Sequence, residues 1–183
     1  QHIVRAGWSV TVRRTAEGLA SNLQWLWILL VPLIVLVWTG RGDVLYEWAD
    51  VDLVAHDHLL QKKAPYLNPT FWCIRMVAYS AIWAFLARFF VGHSIAQDQD
   101  GNLSRTSAMQ MLAPVGIILY GVTQTFASID WIMSLQPTWF STMFGVYFFT
   151  VSCTGCFATM ILLLAMLKNA GKLGDAVNRE HFH

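Results

Sequence analysis

Charge is what this sequence has least of. Asp, Glu, Lys and Arg make up 13% of its 183 residues, about half the ~25% of ordinary soluble domains. A soluble domain of this size exposes much surface and needs charge to solvate it, so a soluble cytoplasmic enzyme is a poor reading. A basic excess is also missing. Twelve Lys and Arg against eleven Asp and Glu leave a net charge of +1, whereas a nucleic-acid footprint needs clustered basic residues; no nucleic-acid partner is expected. Three cysteines are too few and too oddly placed for a disulfide scaffold. No cleavable signal pattern opens the chain. It starts at Gln1 and stops at His183 just past a polar stretch, and the expectation is an internal fragment of a longer membrane protein.

Apolar residues are what the sequence has instead. They make up 56% of the chain, too much for disorder. A helix crossing ~30 Å of hydrocarbon needs ~20 mostly apolar residues, and four runs qualify, at about 19–38, 71–91, 107–126 and 140–167. The predicted fold is therefore all-α, a polytopic transmembrane helix bundle with four spanning helices, forming one membrane-embedded piece over 1–183. Pro32 and Pro114 lie inside spans, where neighbouring helices re-satisfy the freed carbonyls. Pro137 falls between spans three and four and forces a break there.

The polar pieces between spans predict an orientation. With four crossings, Arg5, Arg13, Arg14, Arg105, Lys168, Lys172 and Arg179 share one side, with Arg88 beside them; Arg41, Lys62 and Lys63 share the other. The positive-inside rule then puts both ends of the chain in the cytoplasm. Trp25, Trp38, Trp72, Trp131 and Trp139 lie near span ends and read as interface anchors.

Ionisable groups within spans are rare and are functional hypotheses by default. Arg75 lies about one turn into span two, and Arg88 lies 13 residues on, ~20 Å along a helix. Arg88 reads as snorkelling to the headgroups. For Arg75 two readings stand level: snorkelling, or pairing with an acid, for which Asp130 is the obvious candidate. Asp130 lies between Ile129 and Trp131; burial there would disfavour its charged form and suit it to accept and release protons. The plainer reading is a helix-end aspartate hydrogen-bonded to backbone.

Other groups point less far. Cys153 and Cys156 lack a following His and a second pair, so neither haem attachment nor zinc fits; with Ser152, Thr154 and Gly155 they read as small residues for close helix packing. His56 and His58 flank Asp57, with Asp50 and Asp52 nearby, and a solvated loop is the preferred reading over a metal site. Glu180, His181 and His183 end the chain as a candidate proton-relay mouth or as ordinary juxtamembrane residues.

The stretch from Phe126 to Thr142 (FASIDWIMSLQPTWFST) resembles a signature of the ActF-like family of NrfD/PsrC-like integral membrane subunits of bacterial alternative complex III, the quinol:cytochrome c oxidoreductases. The run Tyr66–Trp72 with Arg75 and Tyr79–Trp83 is similar to that family too, as is Glu180–His183. The resemblance implies a protein of roughly ten spans built around four-helix bundles, of which this chain supplies a middle part. It implies a bacterial inner-membrane subunit with no redox centre of its own, contributing proton conduction or quinone-site support. Its implied partners are a multihaem cytochrome c subunit, an iron–sulfur subunit and a second NrfD-like membrane subunit. Haem c and iron–sulfur clusters would lie on those partners, and a quinone is possible here. On this reading Asp130 and Arg75 belong to an outer proton half-channel, with Glu180, His181 and His183 by the inner mouth. Two other classes remain: a secondary transporter or channel, which expects broken helices in matching halves, and a purely structural anchor for the cytochrome and iron–sulfur subunits.

Overall fold

A backbone in hydrocarbon has to satisfy every N–H and C=O within its own segment, so the apolar runs fold as helices. The computed structural model describes residues 2, 3 and 12–171. Its helices are α1 (Arg13–Ser21), α2 (Trp27–Trp38), α3 (Val51–His56), α4 (His58–Lys63), α5 (Pro69–Asp100), α6 (Leu103–Trp131) and α7 (Phe144–Asn169), with no strand among the described residues. Four helical stretches are long and apolar enough to cross a membrane: Arg13–Trp38, Pro69–Asp100, Leu103–Leu135 and Phe144–Asn169. The chain is an all-α, multi-span membrane protein.

The helices outrun the predicted apolar runs. The first stretch begins at Arg13, six residues before the predicted start, and passes through a single 3-10 turn at Asn22–Gln24 before α2. The second continues past Val91 through His93, Gln97 and Asp98, because helix formation does not require an apolar side chain once the backbone ladder is running. It ends where Gly101 takes a positive φ of 62° and its N–H closes on the Gln97 carbonyl. The fourth starts at Phe144, not Phe140: a turn over Gln136–Trp139 has Pro137 at its second position, and Phe140 stays in the connection as an exposed ring.

The described chain forms two compact units. One comprises Trp25–Trp83 and Leu119–Phe149. Its core holds Tyr46, Trp48, Trp72, Met76, Tyr79, Trp83 and Ala127, all buried. Gly145 of α7 meets the Thr125 side chain of α6 so closely that a Cβ there would clash with it.

The other unit draws on the described residues of Gln1–Gln24, Ala84–Ile118 and Thr150–His183. Val12 packs on Leu164 with Met160 against them. Glu17 of α1 accepts from Arg14 (2.8 Å) and from the buried Ser94 hydroxyl (2.7 Å), and Arg13 lies 3.3 Å away. Arg14 also pairs with Asp98. Polar residues on the extended end of α5 thus find ionic partners on α1, which is what stabilises helix there in place of lipid-facing surface.

Candidate functional site

Helical spacing puts Trp72, Arg75, Met76, Tyr79 and Trp83 on one face of α5, and that face meets the C-terminal end of α6. Asp130, the penultimate residue of α6, is wholly buried, and Arg75 is 8% exposed. The two form a forked ion pair. Arg75 Nε donates to Asp130 Oδ2 and Nη2 to Oδ1, both at 2.8 Å. Of the two sequence readings for Arg75, pairing is the one realised. Tyr79 Oη donates to Asp130 Oδ2 at 2.8 Å, so the carboxylate receives three donors. The third Arg75 nitrogen, Nη1, donates to the Tyr66 carbonyl at 2.9 Å. The guanidinium lies 3.9 Å from the Tyr66 ring centroid and 4.4 Å from that of Phe71, a cation–π setting.

The backbone of Asp130 is held as firmly. Its carbonyl accepts from Trp72 Nε1 at 3.1 Å and from Ser134 Oγ at 2.6 Å. A carbonyl at a helix C-terminus has no intrahelical partner, and these two side chains supply one before the chain turns into the 3-10 turn Met133–Leu135. Tyr46 Oη reaches the next carbonyl, Trp131, at 3.4 Å. Behind the pair, Trp83 Nε1 donates to Thr123 Oγ1 at 2.8 Å and its ring meets Trp131 edge-on. Burial pushes the Tyr46 and Tyr66 phenols in the connection before α5 up to about 12.

A pocket of about 380 Å³ shares Tyr66 and Ser134 with this cluster. Leu67, Ile129, Trp139 and Phe140 form its apolar walls, and Lys62 and Lys63 stand at its rim. Lys63 Nζ donates to the Pro137 carbonyl.

The remaining sequence expectations fall as follows. Trp72, expected as an interface anchor, is fully buried and belongs to the ion-pair site, because its indole N–H finds a carbonyl inside; Trp25, Trp38 and Trp139 are exposed, as anchors would be. Arg88 is exposed on α5, compatible with snorkelling. Of the run Ser152–Cys156, Ser152 and Cys153 are half-buried, whereas Thr154, Gly155 and Cys156 are exposed and Gly155 has open space around it, so the close packing expected there is not made at Gly155 among the described residues. Asp50 and Asp57 cap α3 and α4 by accepting from the first N–H groups, and His56 Nδ1 meets the Asp52 carbonyl at 2.7 Å. Among the described residues no group of three or more His, Cys, Asp or Glu has a metal-binding arrangement. Glu180, His181 and His183 lie outside the described residues.

Sequence reasoning singled out Arg75 and Asp130 but not Tyr79, Trp72, Tyr46 or Ser134 as members of the site. The i, i+4 step from Arg75 to Tyr79 and the i−3 step to Trp72 were the available signal. No protein-family model and no curated protein matches the chain.

Proposed function

We propose that the chain is a membrane subunit of a quinol-oxidising respiratory complex, supporting proton transfer and the quinone site without a redox centre of its own. The observation that carries this reading is the Arg75–Asp130–Tyr79 cluster. A forked charge pair buried at the end of two apolar helices is costly to desolvate, and ionisable groups within spans are functional hypotheses by default. The cluster also falls in the two stretches that resemble the NrfD/PsrC-like subunits of alternative complex III. Its chemistry suits a proton step. Quinol oxidation releases two protons with two electrons. The Tyr79 hydroxyl both donates and accepts, so a proton arriving at its oxygen is matched by its own hydroxyl proton moving to Asp130 Oδ2, and the return of that proton by the same route restores the pair.

On this reading the chain sits in the bacterial cytoplasmic membrane with both ends cytoplasmic, beside a multihaem cytochrome c subunit, an iron–sulfur subunit and a second NrfD-like subunit. The distribution of Lys and Arg supports that orientation. The test is Asp130→Asn in the intact complex, with Tyr79→Phe alongside it because that variant keeps the charge pair. Loss of proton release at retained assembly is expected in both. Unchanged quinol turnover and proton release in assembled complex would overturn the proton role.

One observation favours a second reading, a structural anchor: three donors from α5 hold the Asp130 carboxylate of α6, as in a clasp between helices. Assembly lost together with turnover in Asp130→Asn, but full proton release in Tyr79→Phe, would select it. Purification of the chain without c-type haem would instead select a transporter or channel.

A further inference from the structure

We infer that the pocket beside the ion pair binds one anionic phospholipid, an acyl chain lying between its apolar walls and the phosphate resting at Lys62. This goes beyond the respiratory reading and does not depend on it. Position comes first. The pocket is built where α4 ends, α5 begins and α6 gives way to the loop before α7. That is the end of the apolar helices, where hydrocarbon meets headgroups. Its exposed aromatic wall, Trp139 and Phe140, suits that level.

Shape and lining come next. The volume, about 380 Å³, lies within the ~300–1,000 Å³ of ordinary ligand sites. Leu67 and Ile129 line the wall, and a surface of that kind is best covered by hydrocarbon. Charge decides the class. Among the described residues neither Lys62 nor Lys63 is paired with a carboxylate. Lys63 gives a hydrogen bond to the Pro137 carbonyl, which leaves its positive charge uncompensated. Lys62 is exposed and stands at the same rim. A free inorganic anion would use the lysines but not the walls, and a neutral apolar molecule would use the walls but not the lysines. A phospholipid with net negative charge uses both.

The experiment is quantitative lipid analysis of the full-length protein, extracted from its membrane and washed in a zwitterionic detergent. Wild type is expected to retain stoichiometric anionic phospholipid. Lys62→Gln should lower retention about fivefold, the effect of one lysine near an anionic lipid surface, and Lys62→Glu should lower it further. Lys62→Arg should restore it, and Ile129→Trp, which fills the apolar end, should abolish it. Gel filtration checks that each variant is folded, and Lys62→Gln carries the test if Lys62→Glu is not. Equal retention in wild type and Lys62→Gln, equal retention of zwitterionic phospholipid, or recovery of a neutral quinone in place of phospholipid would each overturn the assignment.

Discussion

Asp130 is the residue on which the buried site turns. Its side chain is inaccessible and receives three donors, two of them from Arg75. Asparagine there leaves the guanidinium buried with no counter-charge, at a cost of about 3–5 kcal/mol. Phenylalanine at Tyr79 removes one donor to a charged acceptor and should cost less, about 1.5–3 kcal/mol. Thermal unfolding in detergent should therefore rank Asp130→Asn below Tyr79→Phe, and the reverse order would mean that the pair is not the main tie. Arg75→Lys keeps the charge but cannot fork, so it should fall between wild type and Asp130→Asn. The phenols of Tyr46 and Tyr66 give a pH signature. Burial raises both to about 12, so the fold favours their neutral form. Their contribution is complete below pH ~10, the unfolded value, and is lost as pH rises toward 12. Phenolate absorbance should show Tyr46 and Tyr66 titrating late, and stability should fall across that window. At this scale the sequence singled out Arg75, a charge inside an apolar run, and Asp130, an acid between Ile129 and Trp131 just past the end of another run. It did not show that they meet, because they are 55 residues apart and only helix packing sets that distance.

Elements carry the site through their ends and close approaches. The start of α7 is held against α6 at Gly145, where a Cβ would collide with the Thr125 methyl. Gly145→Ala should destabilise by about 1–3 kcal/mol, the usual range for overpacking. Adding Thr125→Ser, which deletes that methyl, should recover much of the loss. Measured melting temperatures of the three variants check this, and an unchanged melting temperature in Gly145→Ala would place the close approach elsewhere. Helix α4 depends on Asp57, whose carboxylate caps its first turn. Asp57→Ala should cost about 1 kcal/mol and loosen the turn that presents Lys62 and Lys63. Helix existence was legible here, since long apolar runs admit no other solution in a bilayer. Helix ends were not. The polar tail of α5 is helical because α1 supplies Glu17 and Arg14 to its side chains. The late start of α7 follows from the turn over Gln136–Trp139, which Pro137 helps to form.

For the whole molecule, four long apolar helical stretches predict that the protein stays with membranes through an alkaline wash and leaves them only with detergent. Recovery in the wash supernatant would contradict the spans themselves. With Cys73, Cys153 and Cys156 replaced by serine, single cysteines placed at exposed Thr138 and exposed Asn102 report on the two sides. With both ends cytoplasmic, an impermeant thiol reagent added to the outer face should label position 138 and spare position 102.

Composition and the lengths of the apolar runs by themselves determined that this is a multi-span helical membrane protein, because hydrophobic thickness and backbone satisfaction leave one kind of solution. The residues also singled out Arg75, inside one span, and Asp130, just beyond the end of another, as ionisable groups whose burial would be costly. Tertiary structure alone decided that these two are each other's partners. It likewise drew Trp72 inward from the expected interface and joined a basic rim to an apolar pocket. Those outcomes depend on distances between helix faces, and a linear order of residues does not contain them.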